Sequence, residues 1–170
     1  MLQIKVVKGD LLDQGVDALI YSTNAHLNLC GGVGKSLVDR FGGKIQEKLM
    51  QSAKDQVFGN VEPGAVINCR TEPMPWRLLI HTVATDDMYY TNPEIVRSVL
   101  TDALDLCDQT YGVAVIATSA LGCGYGDLPH QRFAEILVSV VNEYQDTDLK
   151  EIRVVCNNID YASQLKSVLG

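Results

Sequence analysis

The chain has 170 residues, of which 46% are hydrophobic and 21% are charged, and its formal net charge is −7 at pH 7. This length and composition fit one domain with a buried core and exclude a disordered tail. No apolar run approaches the roughly 18 residues of a membrane span, and residues 1–20 lack the basic start and apolar middle of a signal peptide. The acidic balance argues against bulk binding to long nucleic acid. We therefore expect a soluble, cytoplasmic domain.

Taken along the chain, predicted strands alternate with predicted helices. Six short apolar segments predict strands, at 2–7, 18–21, 65–68, 78–83, 113–117 and 152–156. Helical stretches are expected to begin at Val33, Ile45, Pro93, Pro129 and Tyr161. The clearest start is Asn92-Pro93, because Asn caps helices and Pro is favoured in their first turn. This alternation predicts an α/β fold with a largely parallel sheet between helical layers.

Two glycine-rich loops each follow a predicted strand. The first is STNAHLNLCGGVGKSL at 22–37, and the second is SALGCGYG at 119–126. Because ligands bind beyond the carboxyl ends of parallel strands, we expect the two loops to converge on one site. Exposed amides beside a helix start favour a phosphate, so the pair suggests a diphosphate held from both sides. Neither loop has the spacing of a P-loop or of G-x-G-x-x-G.

The cysteines and histidines suggest no metal site. The five cysteines are widely scattered and no pair has C-x-x-C spacing, so mostly buried free thiols are expected. Cys30 and Cys123 differ from the others because they lie in the glycine-rich loops. His81, within an apolar strand, is expected in the core, and His130, at a helix start, is expected to be exposed. We expect neither a metal nor a cofactor.

Four segments together resemble the macro domains, a family of ADP-ribose-binding modules. They are VKGDLL at 7–12, VDALIYSTNAHL at 16–27, CGGVGKSL at 30–37 and SALGCGYGDLP at 119–129. The resemblance covers almost the whole chain. It implies that residues 1–170 are a single macro domain with a three-layer α/β/α fold and a mixed, largely parallel central sheet. It also implies ADP-ribose or an ADP-ribosylated protein as partner, and a monomer is expected.

The resemblance implies a role for each matching residue. Asp10, with Leu11 beside it, matches the carboxylate that accepts from the adenine amino group, and Asn24 matches an asparagine that faces the distal ribose. Asn157 stands where the family often places an adenine-facing residue. The phosphate loops are matched by Gly31, Gly32, Val33 and Gly34 and by Ser119, Gly122, Cys123, Gly124 and Tyr125. From the residues alone, turn-forming roles for Asp10 and Asn24 and an ordinary loop aromatic at Tyr125 stay open.

Departures from the family pattern bear on catalysis. Hydrolytic macro domains of the common type carry Asn and Asp where this chain has Tyr21 and Gly34. A branch with a lysine nucleophile has a similar G-C-G loop, but Arg40 lies in the corresponding helix, and arginine stays protonated. The segment TNAHLNLCGGVGKSL is most similar to the non-hydrolytic macro domain of a histone variant. The prediction is therefore a reader that binds ADP-ribose without hydrolysing it.

Two other functions stay open. One is a hydrolase that removes ADP-ribose from proteins, from O-acetyl-ADP-ribose or from ADP-ribose 1″-phosphate, with His26 as the first candidate catalytic residue and Lys35 and Cys30 as further ones. The other is a binder of RNA or another nucleotide, although the acidic net charge disfavours long nucleic acid. A cytoplasmic setting, or a nuclear one in a eukaryote, is expected for each function.

Overall fold

The computed structural model describes residues 1–69 and 74–170. The described residues form a sheet of six strands: β1 Gln3–Lys8, β2 Ala18–Thr23, β3 Val66–Cys69, β4 Leu78–Val83, β5 Val115–Thr118 and β6 Glu151–Cys156. Their order across the sheet is β1-β6-β5-β2-β4-β3. Every pairing is parallel except that of β3 with β4 at one edge. The sheet is mixed and largely parallel, which confirms the prediction.

Helices cover both faces of this sheet. They are α1 Gly32–Phe41, α2 Lys44–Gln56, α3 Pro93–Asp108, α4 His130–Val141 and α5 Ile159–Leu169. One apolar core lies between the sheet and α1 and α2, and the other lies between the sheet and the remaining helices. The predicted three-layer α/β/α architecture is thereby confirmed. None of the helices in the described residues is long and apolar enough to cross a membrane.

The Asp17 side chain aligns the beginnings of the central strands. Its Oδ2 accepts hydrogen bonds from the backbone N–H groups of Ala114 at 3.0 Å and Val115 at 2.9 Å. Its backbone oxygen accepts from the Arg77 N–H at 2.7 Å, just before β4. The Asp17 side chain thus bonds the amides at the beginning of β5, which starts at Val115, two residues later than predicted.

The carboxyl ends of the five parallel strands meet at one edge of the sheet. The glycine-rich loops leave this edge after β2 and β5, as expected from the sequence. Three further segments also leave it: 9–10 after β1, 84–92 after β4 and 157–158 after β6. A ligand at this edge therefore meets residues from all five parallel strands.

The cysteines follow the sequence prediction. Three of the five thiols are buried and Cys156 is half-buried, whereas Cys30 is exposed in the first glycine-rich loop. All five are free.

Replacing Asn92 with alanine tests the start of α3. The Asn92 side chain accepts from the Ile95 N–H at 2.9 Å, and Pro93 occupies the first turn. Because the substitution removes this cap, we expect the free energy of unfolding, measured in urea, to fall by about 1 kcal/mol. Asn92→Ser keeps a capping oxygen and should lose less than half as much. An alanine variant as stable as the parent protein would contradict the capping role.

Candidate functional site

Two adjoining cavities open at the carboxyl edge of the sheet. The inner cavity, of about 380 Å³, is lined by the two glycine-rich loops and by the segment after β4. The outer cavity, of about 560 Å³, is lined in addition by residues after β1 and β6 and by the start of α5. Gly32, Val33, Ser119, Ala120 and Gly124 line both cavities. The two cavities therefore form one continuous cleft.

Every residue that the family resemblance assigns to the ligand lines this cleft. The inner cavity contains Asn24, Gly31, Gly34, Gly122 and Tyr125. The outer cavity contains Asp10, Leu11, Cys123 and Asn157. The remaining assigned residues, Gly32, Val33, Ser119 and Gly124, lie where the two cavities meet. The structure thus brings together four chain segments that are distant in sequence.

The N-terminus of α1 lies at the junction of the two cavities. Lys35 N–H donates to the Gly31 oxygen at 3.2 Å, so the amides of Gly32, Val33 and Gly34 precede the first bond of the helix. Such amides have no acceptor within the helix, and the helix dipole adds partial positive charge to them. A phosphate is the ligand that this arrangement favours.

Gly34 lies close to Leu29, so a side chain at this position would be tightly packed. A Cβ at Gly34 would stand 3.0 Å from Leu29 Cδ2 and 3.2 Å from Leu29 Cα. Leu29 is held in place because its N–H donates to Gln46 Oε1 at 2.8 Å, and Gln46 Nε2 donates to the Leu27 oxygen at 2.5 Å. A side chain at this position, where the family resemblance implies an aspartate in hydrolytic macro domains, would therefore require Leu29 to shift by a few tenths of an ångström.

The second loop is shaped by contacts within its own backbone. Cys123 N–H donates to the Ala120 oxygen at 3.2 Å, and Leu128 N–H donates to the Gly122 oxygen at 3.1 Å. Gly126 passes so near Gly122 that a Cβ on Gly126 would lie 2.2 Å from the Gly122 oxygen. Burial raises the pKa of the Cys123 thiol to about 12, so it is not a thiolate near neutral pH. The loop therefore presents backbone, rather than reactive side chains, to the cleft.

Asp10 presents an oriented carboxylate to the outer cavity. Its Oδ1 accepts from the Leu12 N–H at 2.8 Å, and its Oδ2 lies 3.3 Å from Arg40 Nη2. The bond from the Leu12 N–H is the turn-forming role that the sequence left open. Each carboxylate oxygen can still accept a further hydrogen bond. Asn157 lines the same cavity from the end of β6. This end of the cleft therefore suits a ligand with N–H donors.

Asn24 lines the inner cavity while closing its own loop. Its Nδ2 donates to the Asn28 oxygen at 2.9 Å, and its Oδ1 accepts from the Asn28 N–H at 3.1 Å. An amide has two donors and two lone pairs, so these bonds use half of its capacity. The loop-closing role and a contact with a ligand are therefore compatible.

Two tyrosines stand at the mouth of the inner cavity. The Tyr125 ring lies over Gly31, where a Cβ would stand 3.2 Å from its hydroxyl oxygen. Tyr89 lines the cavity beside it, with the two ring centroids 5.8 Å apart. Both side chains are at least half exposed, so the inner cavity opens to solvent between aromatic rings.

The segment after β4 also belongs to the site, although no motif in the sequence indicated it. Tyr89 has a φ of +63°, which is uncommon for a bulky residue, and Asp86 supports this turn by accepting from the N–H groups of Met88 and Tyr90. Thr85 also lines the inner cavity. The segment has no glycine motif, but its position after a parallel strand already placed it at the ligand edge.

Of the candidate catalytic residues, His26 and Lys35 do not line the cleft, whereas Cys30 lines the inner cavity. The His26 side chain is 76% exposed, and its Nε2 lies 3.4 Å from Asp87 Oδ1. Lys35 forms an exposed ion pair with Asp39, one helical turn later. The described residues that line the inner cavity include no carboxylate, imidazole or amine side chain.

His130 forms part of the wall of the outer cavity, and the prediction that it is exposed was wrong. It is only 8% exposed because α5 covers it. Its ring stacks on Tyr161, with centroids 4.1 Å apart and an angle of 12° between the planes. Burial lowers the pKa of His130. Both rings line the outer cavity, although the sequence analysis assigned neither to the site.

Tyr21 and His81 form a buried polar pair. The Tyr21 hydroxyl oxygen lies 2.6 Å from His81 Nδ1, and both residues are fully buried. Burial lowers the pKa of His81 to about 3 and raises the pKa of Tyr21 well above its usual range. Within the described ranges, His81 Nε2 has no hydrogen-bond partner. Tyr21, at the position of the family's asparagine, therefore has its hydroxyl engaged inside the core.

Comparison with known proteins identifies the same fold. The family model described as Macro domain matches residues 20–137. A macro domain-containing protein of Caldanaerobacter subterraneus is 28% identical over 156 residues, which are 90% of this chain and 87% of that protein.

Solved structures of macrodomains superpose on this chain. The Oceanobacillus iheyensis macrodomain with ADP has a TM-score of 0.84 at 20% identity, covering 96% of this chain and 88% of that one. The Trypanosoma brucei macrodomain in complex with ADP-ribose has a TM-score of 0.79 at 20% identity, covering 99% and 69%. At this identity the likeness shows the fold.

The buried imidazole predicts a pH dependence of stability. An unfolded histidine titrates near 6.5, whereas burial lowers the pKa of His81 to about 3, so the unfolded chain binds more protons between these values. The free energy of unfolding should therefore fall as pH drops below 6.5, by at most about 1.4 kcal/mol per pH unit from this group. Urea unfolding between pH 6.5 and 4.5 measures this slope.

The double variant Tyr21→Phe/His81→Phe removes the titrating group together with its partner hydroxyl. Its slope should be shallower than that of the parent protein, whatever its absolute stability. Equal slopes would mean that other groups account for the pH dependence.

Proposed function

Because this chain belongs to the macro domain family, we propose that it binds ADP-ribose, free or attached to a protein, without hydrolysing it. The observation that carries this proposal is the continuous cleft, which has helix-start amides at its centre and an oriented carboxylate at one end. ADP and ADP-ribose are bound in macrodomain structures to which this chain is similar. The cleft offers complementary groups for each part of such a ligand.

The diphosphate fits at the junction of the two cavities. There the amides of Gly32 and Val33, at the start of α1, lie opposite the second loop at Gly124. Adenine fits the outer cavity, where Asp10 can accept from its amino group. The distal ribose then occupies the inner cavity near Asn24, and its far end points to the opening beside Tyr89 and Tyr125. A ribose joined to a protein side chain has a path to solvent through this opening.

The same geometry argues against hydrolysis. Removing ADP-ribose requires a group that activates water or acts as a nucleophile near the distal ribose. Gly34 supplies no carboxylate and packs against Leu29, and the Tyr21 hydroxyl is engaged with His81. His26 and Lys35 pair with Asp87 and Asp39 outside the cleft. Binding without turnover is the function that these contacts support.

Gly124→Glu tests the diphosphate site. A Cβ at Gly124 meets nothing within 4 Å, so the substitution places a carboxylate in the cleft without steric strain. Repulsion between this carboxylate and the diphosphate should weaken ADP-ribose binding at least about tenfold, since like charges at close range cost more than 1 kcal/mol. Calorimetry with ADP-ribose, AMP and ribose-5-phosphate measures the affinity. Absence of ADP-ribose binding by the parent protein would contradict the proposal.

Gly43→Glu is the matched control, because Gly43 lies between α1 and α2 and also has open space around it. It adds the same charge away from the cleft, so its affinity for ADP-ribose should equal that of the parent protein. Gly32→Glu is a poorer choice, because Gly32 has a φ of +54° that strains any side chain. Equal weakening by Gly124→Glu and Gly43→Glu would place the diphosphate elsewhere.

Gly34→Asp tests whether a carboxylate at this position restores hydrolysis. The new side chain must displace Leu29, so we expect a lower melting temperature, equivalent to about 1–3 kcal/mol of stability. Neither the parent protein nor the variant should release ADP-ribose from mono-ADP-ribosylated protein, from O-acetyl-ADP-ribose or from ADP-ribose 1″-phosphate. Turnover of any of the three by the parent protein would favour the hydrolase alternative.

A further inference from the structure

The Arg40 side chain contacts two aspartates at the 3₁₀ turn Leu11–Asp13, which follows β1. They are Asp10, which caps the turn, and Asp13, its last residue. Arg40 Nη2 lies 3.3 Å from Asp10 Oδ2, and Arg40 Nη1 donates to Asp13 Oδ1 at 2.6 Å. The other Asp10 oxygen accepts from the Leu12 N–H at 2.8 Å. The Asp10 carboxylate is therefore restrained at both oxygens, by the turn on one side and by α1 on the other.

We propose that Arg40 is a positioning residue that makes the outer cavity select a 6-aminopurine over a 6-oxopurine. The inference rests on the proposed binding of ADP-ribose, with its base beside Asp10. Adenine presents an amino donor at C6 and an acceptor at N1, whereas hypoxanthine presents an acceptor at C6 and a donor at N1. A carboxylate only accepts hydrogen bonds, so the donor that it can reach decides which base is bound.

Selectivity between adenine and hypoxanthine requires that the Asp10 carboxylate is restrained. A carboxylate free to rotate can follow the donor from the amino group to N1–H and so bind either base. A carboxylate fixed by Arg40 keeps its lone pairs directed at one position, and the wrong base then leaves polar groups unpaired. Arg40 thus discriminates between bases without contacting them.

An arginine suits this task better than a lysine. Its planar fork offers two N–H donors that engage Asp10 and Asp13 at once, whereas an ammonium is a single point charge. Arg40 follows Val33 and Ser36, which line the outer cavity, by seven and four residues and so shares their side of α1. The first turn of α1 therefore meets the phosphate while its last turn orients the carboxylate for the base.

The solvent exposure of Arg40 and Asp10 limits how much their ion pair can change base selectivity. The Arg40 side chain is 38% exposed and Asp10 is 47% exposed, so the ion pair is a surface pair that contributes little to folding. Variants of Arg40 should therefore fold. A surface pair of this strength corresponds to a change in selectivity of about two- to fivefold.

Calorimetry with ADP-ribose and with its hypoxanthine analogue tests the proposal. The ratio of the two affinities should fall about two- to fivefold in Arg40→Ala, with Arg40→Lys between this variant and the parent protein. In an Asp10→Ala background, Arg40→Ala should leave the ratio unchanged, because Arg40 acts through Asp10. A further fall in that background would mean that Arg40 contacts the base itself, and would overturn the positioning role.

Arg97→Ala is the matched control. Arg97 is 39% exposed and pairs with Glu143 beside α4, so the variant removes the same charge and the same kind of ion pair away from the cleft. Its affinity ratio should equal that of the parent protein. This inference alone would be overturned if Arg40→Ala had the same affinity ratio as the parent protein, or if it lost affinity equally for both ligands. Absence of ADP-ribose binding by the parent protein would contradict the proposed function as well.

Discussion

The cleft depends on a backbone contact that only glycine allows. Gly126 passes so near the Gly122 carbonyl that a Cβ there would lie 2.2 Å from its oxygen. Such a distance is far below van der Waals contact, so the second loop exists in this shape only without a side chain at Gly126. At Gly34, in the first loop, the contact with Leu29 is looser, since a Cβ there would stand 3.0 Å from Leu29 Cδ2. Both loops therefore bring backbone amides to the carboxyl edge of the sheet, beside the side chains of Asn24 and Tyr125.

The backbone amides in the cleft change what the net charge of −7 implies about anion binding. Side-chain counting suggests that an acidic protein repels an anion. The amides of Gly32, Val33 and Gly34 carry partial positive charges that such a count does not include, and the dipole of α1 reinforces them. Their field acts over the first turn of the helix, whereas the side-chain charge is spread over the surface and screened by salt. The net charge therefore argues against a long polyanion but not against a diphosphate.

The fold and the convergence of the two glycine loops were predictable because their patterns are local. Alternating strands and helices indicated the α/β sheet, and the glycine loops indicated the edge at which the cleft lies. Tyr89 follows a parallel strand, which was a usable signal, but its segment has no glycine motif. Tyr161 was not predictable, because it reaches the cleft only through the tertiary packing of α5. His130 was misjudged for the same reason, since α5 covers a helix start that looks exposed in the sequence.

Nearness in sequence also does not determine the direction of a side chain. Asn24 lines the inner cavity, yet His26, two residues later, pairs with Asp87 outside it. The cause is the tight turn closed by the Asn24 side chain onto Asn28, in which Leu27 has a φ of +55°. A loop residue beside a binding residue is therefore a weak catalytic candidate until the path of the backbone is known.

Binding and catalysis place different demands on this fold. Binding of a diphosphate uses amides, which survive most substitutions as long as the backbone keeps its course. Hydrolysis needs particular side chains at particular places. At two of those places the residue has a packing contact in the interior instead. Tyr21 bonds His81, and Gly34 packs on Leu29, which Gln46 holds in position. A carboxylate at Gly34 would require Leu29 to give way by a few tenths of an ångström. The amides that favour an anion in this cleft are therefore separate from the side chains that hydrolysis would need.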